Sequence, residues 1–197
     1  MFVSGRGSNL QAILNSQELH NLVEVKAIVS DKLDCPAFRV AGSHSIDVYS
    51  TGNTENKISY TELSKIFFDK KIELIVLAGF LKLLPVEFVQ SFRNRIINIH
   101  PALLPSFGGA GMYGMNVHKA VFESSAKVSG ATVHFVDEKF DNGMIIAQES
   151  VDIIGLESPE QIAAKVLDVE HRLLPSVIKK IVLGKIHIEG SQVVVSS

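Results

Sequence analysis

Along most of this chain, short apolar runs rich in β-branched residues alternate with segments whose apolar residues recur every three or four positions. No other feature restricts the fold as much. Such alternation reads as βαβ units, in which crossover helices set successive strands parallel in one sheet. The spacing predicts strands at 2–4, 24–30, 47–49, 74–78 and 96–99. Between them it predicts helices at 9–19, with Leu10, Ile13 and Leu14 on one face, and at 35–42, 60–70 and 85–91, the last with proline in its first turn.

Past residue 100 the pattern changes. A helical stretch at 118–124 precedes apolar segments at 131–136 and 145–151, joined through Asp141-Asn142-Gly143, a favoured turn sequence. An antiparallel pair is therefore added to the parallel set. The final helix has the clearest start: Ser158-Pro159-Glu160-Gln161 offers an N-cap hydroxyl, proline at the first helical position and glutamine at the third. It is predicted to run to about Leu183, stop at Gly184 and kink at Pro175, leaving a small hairpin around Gly190-Ser191. With no repeat, low-complexity segment or linker, residues 1–197 read as a single domain. The predicted fold is α/β, three-layer and doubly wound, its sheet mostly parallel with an antiparallel strand pair in the C-terminal half. Only three or four residues precede the first glycine loop, short for a strand at the centre of such a sheet, which points to an abbreviated N-terminus.

Bulk properties narrow the partners. The net charge of −2 comes from 19 Lys+Arg against 21 Asp+Glu with no long basic run, so strong non-specific nucleic-acid binding is not expected. The lone Cys35 forbids an internal disulfide and favours a reducing compartment. No secretory signal is evident, and the longest apolar stretch, 74–84, contains Gly79 and Lys82 and is too short to span a bilayer. A cytoplasmic protein with no membrane partner is the expectation.

The chemistry concentrates in Ile97-Asn98-Ile99-His100-Pro101, where an apolar strand runs into a proline-punctuated loop. Positions two apart in a strand point the same way, so Asn98 and His100 project together from its carboxyl end, where open α/β sheets place their chemistry. An amide donor can hold a developing oxyanion, and an imidazole can move a proton. Taken alone, a strand-ending Asn and a structural His explain the pair equally well. Asp141 shifts the balance, because a carboxylate meeting His100 across the sheet edge would orient the ring and favour its charged form. Earlier in the chain, Ser4-Gly5-Arg6-Gly7-Ser8-Asn9 is a glycine turn opening into a helix, where the N–H groups of Gly7, Ser8 and Asn9 suit an anion such as a phosphate, the alternative being a capped turn with no ligand. It is not a dinucleotide fingerprint. The apolar, glycine-rich 107–115 stretch reads as a mobile wall of the site or a packed loop. His134 reads as a satisfied core histidine, and spacing does not decide whether Glu170-His171 faces the site. No Cys/His cluster has metal-ligand spacing, so no metal is expected.

Taken together, Ser4-Gly5-Arg6-Gly7-Ser8-Asn9-Leu10, Leu77-Ala78-Gly79-Phe80, Asn98-Ile99-His100-Pro101-Ala102-Leu103-Leu104-Pro105, Val133-His134-Phe135-Val136, Asp141-Asn142-Gly143 and Glu170-His171 resemble the phosphoribosylglycinamide formyltransferase family. The resemblance covers nearly the whole chain and implies the formyltransferase fold. It also implies transfer of a formyl group from the co-substrate 10-formyltetrahydrofolate to the primary amine of glycinamide ribonucleotide in purine synthesis, by direct attack and without a metal. In that family the matching positions assign catalysis to Asn98, His100 and Asp141. They assign phosphate binding to Gly7, Ser8 and Asn9, and place Glu170 near the glycinamide end. Phe80, Leu81, Lys82, Leu83, Leu84, Val136 and Phe140 match the folate pocket, with Lys82 standing where some relatives carry arginine. The partners implied are the two small molecules, the protein acting as a monomer or homodimer. Two other readings stay open. A formyltetrahydrofolate deformylase-like hydrolase uses similar chemistry with water as acceptor, though such relatives carry a further N-terminal domain. A non-catalytic phosphate- or nucleotide-binding sensor would retain the glycine turn without needing Asn98, His100 and Asp141 together.

Overall fold

The computed structural model describes residues 1–52 and 54–196. Its strands are β1 (Ala27–Ser30), β2 (Asp47–Ser50), β3 (Ile75–Ala78), β4 (Ile96–His100), β5 (Val128–Phe135) and β6 (Ile145–Asp152), with β7 (Ile186–Glu189) and β8 (Gln192–Val195) forming the C-terminal hairpin. The helices are α1 (Ser8–Leu14), α2 (Ala37–Ser43), α3 (Tyr60–Asp69), α4 (Val86–Ser91), α5 (Met115–Glu123) and α6 (Pro159–Val182).

β1 pairs with β2 and β3 with β4, both in parallel. The N-terminal segment joins the two pairs, because Phe2 bridges Val29 and Leu77 and its neighbours exchange backbone hydrogen bonds with Val29 and Gly79. β5 then runs antiparallel to β4, and β6 antiparallel to β5. The mostly parallel sheet with an added antiparallel pair is the predicted architecture.

Strand alternation divides the core into layers. Val76, Ala78, Ile97, Ile99 and Val133 face Val121 of α5 and Val166, Val169, Leu174 and Val177 of α6. Ile75, Leu77 and Ile96 face Leu63 and Phe67 of α3, Phe88 and Val89 of α4 and Phe92 just beyond it. A third cluster, around Ile28, packs Leu10 of α1 against Ala37 and Ala41 of α2. Helix starts follow local chemistry: Ser59 accepts from the Glu62 N–H at 3.1 Å, and Ser158 from the Gln161 N–H at 3.3 Å.

Some boundaries differ from the sequence expectation. α1 ends at Leu14 rather than 19, because residues 16–22 turn instead, with Asn21 at φ 65°. Leu19, 1% exposed, keeps the helical spacing of apolar residues from within that turn. Residues 24–26 lie outside the β1 ladder, and residues 2–4 contribute bridges rather than a full strand. α5 starts three residues early, at Met115, and α6 contains Pro175 and continues to Val182.

Candidate active site

The carboxyl ends of β3 and β4, the glycine turn after Val3 and the loops at 109–114 and 140–141 enclose a cleft of about 400 Å³. Asn98, His100, Asp141, Gly7, Ser8, Asn9 and Glu170 all line it. Two side chains of β4 and a third from the distant turn after β5 therefore line one cleft with the predicted anion turn.

His100 is only 3% exposed. Its Nε2 lies 2.8 Å from the Phe107 carbonyl, an acceptor, so Nε2 carries a hydrogen and donates it. Its Nδ1 faces Asp141 Oδ1 at 3.5 Å. Burial draws the imidazole pKa below its ordinary value, helped by His134, although the Asp141 carboxylate and the Phe107 carbonyl both favour the cation. The ring thus rests neutral at neutral pH, with a lone pair at Nδ1 beside a group ready to stabilise a proton arriving there.

Asp141 is held in the left-handed region at φ 51°, on the turn that follows β5. Its Oδ2 accepts from the Gly109 N–H at 2.9 Å, and its Oδ1 from Asn98 Nδ2 at 3.4 Å. Burial would raise its pKa, but the His100 ring and the Gly109 amide help to keep the carboxyl below the usual carboxylate range. The close approach requires Gly108, since a Cβ there would sit 2.5 Å from Leu104 Cδ2 and 3.2 Å from Asp141 Cβ.

On the glycine turn, Gly7 takes φ 80° to start α1, whose first turn has no side-chain cap. A Cβ on Gly7 would come 2.9 Å from Ala37 Cβ, so glycine is required for both conformation and space. Asn9 Nδ2 donates to Glu170 Oε2 at 2.7 Å, tying α1 to α6. Burial pushes the Glu170 carboxyl up to about 7, with the Asn9 bond acting against it. Among the described residues, the buried Asn9 Oδ1 has no partner.

The residues matched to a folate pocket divide between two spaces. Phe80, Leu81 and Phe140 line the main cleft. Lys82, Leu83, Leu84 and Val136 line an adjoining cavity of about 50 Å³ that shares Phe80, Asn98, Phe140 and Asp141 with it. The 107–115 stretch does form a wall, through Gly109, Gly111, Met112, Tyr113 and Gly114. Two groups in the site were not read as such from sequence. His134 is buried and hydrogen-bonded, as a core histidine should be, but its partner is Asn98, at 3.1 Å from Nε2. His118, on α5, lines the cleft with its Nδ1 buried and unpartnered among the described residues. Only the β4–β5 register of the folded sheet reveals the first; nothing in the sequence signals the second.

Comparison with known proteins gives a consistent result. Residues 1–178 match the family model described as formyl transferase. The chloroplastic phosphoribosylglycinamide formyltransferase of Arabidopsis thaliana is 43% identical over 183 residues, spanning 90% of this chain and 63% of its own length. The phosphoribosylglycinamide formyltransferase of Haemophilus influenzae is 31% identical, over 97% of this chain and 90% of its own. A crystal structure of the Anaplasma phagocytophilum phosphoribosylglycinamide formyltransferase superimposes with a TM-score of 0.89 and 30% identity, covering 100% of this chain and 92% of that one. This chain therefore spans less than two thirds of the plant protein.

Proposed function

This chain belongs to the formyl transferase family, and on that premise we propose that it transfers a formyl group from 10-formyltetrahydrofolate to the primary amine of glycinamide ribonucleotide, a step of purine synthesis. The observation carrying the reading is the meeting of Asn98, His100 and Asp141 in one cleft with the Gly7–Asn9 turn and Glu170. Gly7, Ser8 and Asn9 bind the substrate phosphate, Glu170 the glycinamide end, and the apolar walls around Phe80 and Phe140 the folate.

The amine nitrogen attacks the formyl carbon, and the carbonyl π electrons move to oxygen to form a tetrahedral intermediate. Asn98 donates to that oxyanion. Its amide nitrogen is held by Asp141 only at 3.4 Å, so a full negative charge competes well for the hydrogen. The proton lost by the attacking nitrogen passes to Nδ1 of neutral His100, directly or through water. The resulting imidazolium lies between the Asp141 carboxylate and the Phe107 carbonyl, both of which favour its charge. Collapse breaks the bond from the formyl carbon to the folate nitrogen, which takes the proton back from His100. No covalent enzyme intermediate is required. A cytoplasmic setting belongs to the same proposal and rests on the single cysteine.

Turnover assayed by folate absorbance tests this. The proposal expects a signal only when both 10-formyltetrahydrofolate and glycinamide ribonucleotide are present. Folate consumption without the ribonucleotide would favour the hydrolase, and tight ribonucleotide binding without turnover would favour the sensor.

A further inference from the structure

The mechanism above gives His134 no part, yet its geometry is specific. β5 sets it directly opposite Asn98 of β4, and the residue is 2% exposed. Its Nδ1 lies 2.7 Å from the Phe135 carbonyl. Two lone pairs do not settle at that separation, so Nδ1 carries a hydrogen. A neutral ring then has a bare lone pair at Nε2, and Asn98 Nδ2 stands 3.1 Å away to donate to it. Asp141 Oδ1 is 3.7 Å from Nε2, too far to bond the ring, but at 3.4 Å it faces the same amide nitrogen.

The two ends of an asparagine amide are nearly identical in shape, so packing does not choose between them; the hydrogen-bond partners do. With Nε2 as an acceptor, nitrogen must face the ring. With a hydrogen on Nε2, the amide would turn over to present oxygen to the ring, and Asn98 would lose the donor that an oxyanion needs.

We propose that His134 is a positioning residue for formyl transfer: the Phe135 carbonyl fixes its tautomer, and the tautomer fixes the Asn98 amide with its donor end on the Asp141 side, where the reacting carbonyl must lie. The proposal rests on the formyl-transfer reading of the site.

Two measurements on the whole protein test it. Nitrogen-15 NMR of the imidazoles, assigned with a His134→Gln variant, reads the tautomer with no turnover involved. The expected result is a hydrogen on Nδ1 and none on Nε2 at neutral pH; a hydrogen on Nε2 overturns the proposal. Steady-state kinetics then compare His134→Gln with His134→Leu. The glutamine carbonyl reaches about where Nε2 stood and accepts from Asn98, so it should keep most of kcat. Leucine should lower kcat by about 10- to 100-fold while both KM values stay within about twofold. A leucine variant with unchanged kcat, a loss expressed in KM, or a glutamine variant as impaired as leucine contradicts the proposal. If the leucine variant does not fold, the tautomer and the glutamine variant decide. Wild-type turnover is measured alongside: its absence sinks the formyl-transfer reading, whereas normal wild-type turnover with an unaffected leucine variant sinks only this inference.

Discussion

Replacing Asp141 by asparagine preserves the shape of the side chain and an oxygen for Gly109 but removes the negative charge 3.5 Å from His100. The imidazolium formed during transfer then loses its counter-charge, and kcat should fall by about 10²-fold or more, with Asn98→Ala and His100→Ala at least as impaired. Steady-state kinetics of the three variants check this; turnover like the wild type in any of them removes that residue from the mechanism. Glu170 makes a separate prediction about pH. Its pKa is raised from 4.5 to about 7, so the folded protein holds a proton that the unfolded chain releases more easily. Stability from the buried neutral acid is fully present below pH 4.5 and is lost as pH rises through about 7. Glu170→Gln has no charge to bury. Without ligand it should gain on the wild type across that window, by up to about 3 kcal/mol at the alkaline end, in denaturant titrations at a series of pH values. Asn98 and His100 were legible because two-residue spacing on a strand end is a local rule. His134 was not, since its role depends on which residue of β5 faces Asn98, a register that only the folded sheet specifies.

At the level of elements, the turn between β5 and β6 carries the tightest constraint. A Cβ on Gly143 would sit 1.9 Å from the Phe135 carbonyl oxygen, a backbone atom that cannot swing aside. Gly143→Ala should therefore shift the turn that carries Asp141, lowering both the melting temperature and kcat. An alanine variant with an unchanged melting temperature and full activity would contradict that reading. The start of α6 gives a milder test: Ser158→Ala removes the acceptor for the Gln161 N–H and should cost about 1 kcal/mol in chemical denaturation. That cap was visible in the sequence, because a serine, a proline and a glutamine in series have a local physical meaning. The end of α1 was not, because Leu19 keeps the apolar spacing of a helix while lying in a turn.

Over the whole molecule, Phe2 connects sheet continuity to the site. It is fully buried and bridges Val29 and Leu77, so it ties the β1–β2 pair to the larger sheet. Its ring meets Phe67, Phe80 and Phe88 at 6.1, 5.1 and 5.8 Å. Phe2→Ala should cost about 3–5 kcal/mol and, because Phe80 lines the cleft, weaken folate binding as well. Denaturation together with folate titration would test this; a variant that loses stability but binds folate normally would uncouple the two. The layered architecture was readable from alternating strand and helix patterns, whereas the cleft was not, since it arises where loops from five separate stretches of chain converge. The central claim is that this convergence delivers a one-carbon unit from one small molecule to another. Supplying 10-formyltetrahydrofolate labelled in its formyl carbon, with glycinamide ribonucleotide, and following the label tests it most directly. The account predicts one labelled formylglycinamide ribonucleotide for each tetrahydrofolate released; label recovered as free formate, or left on the folate, would contradict it.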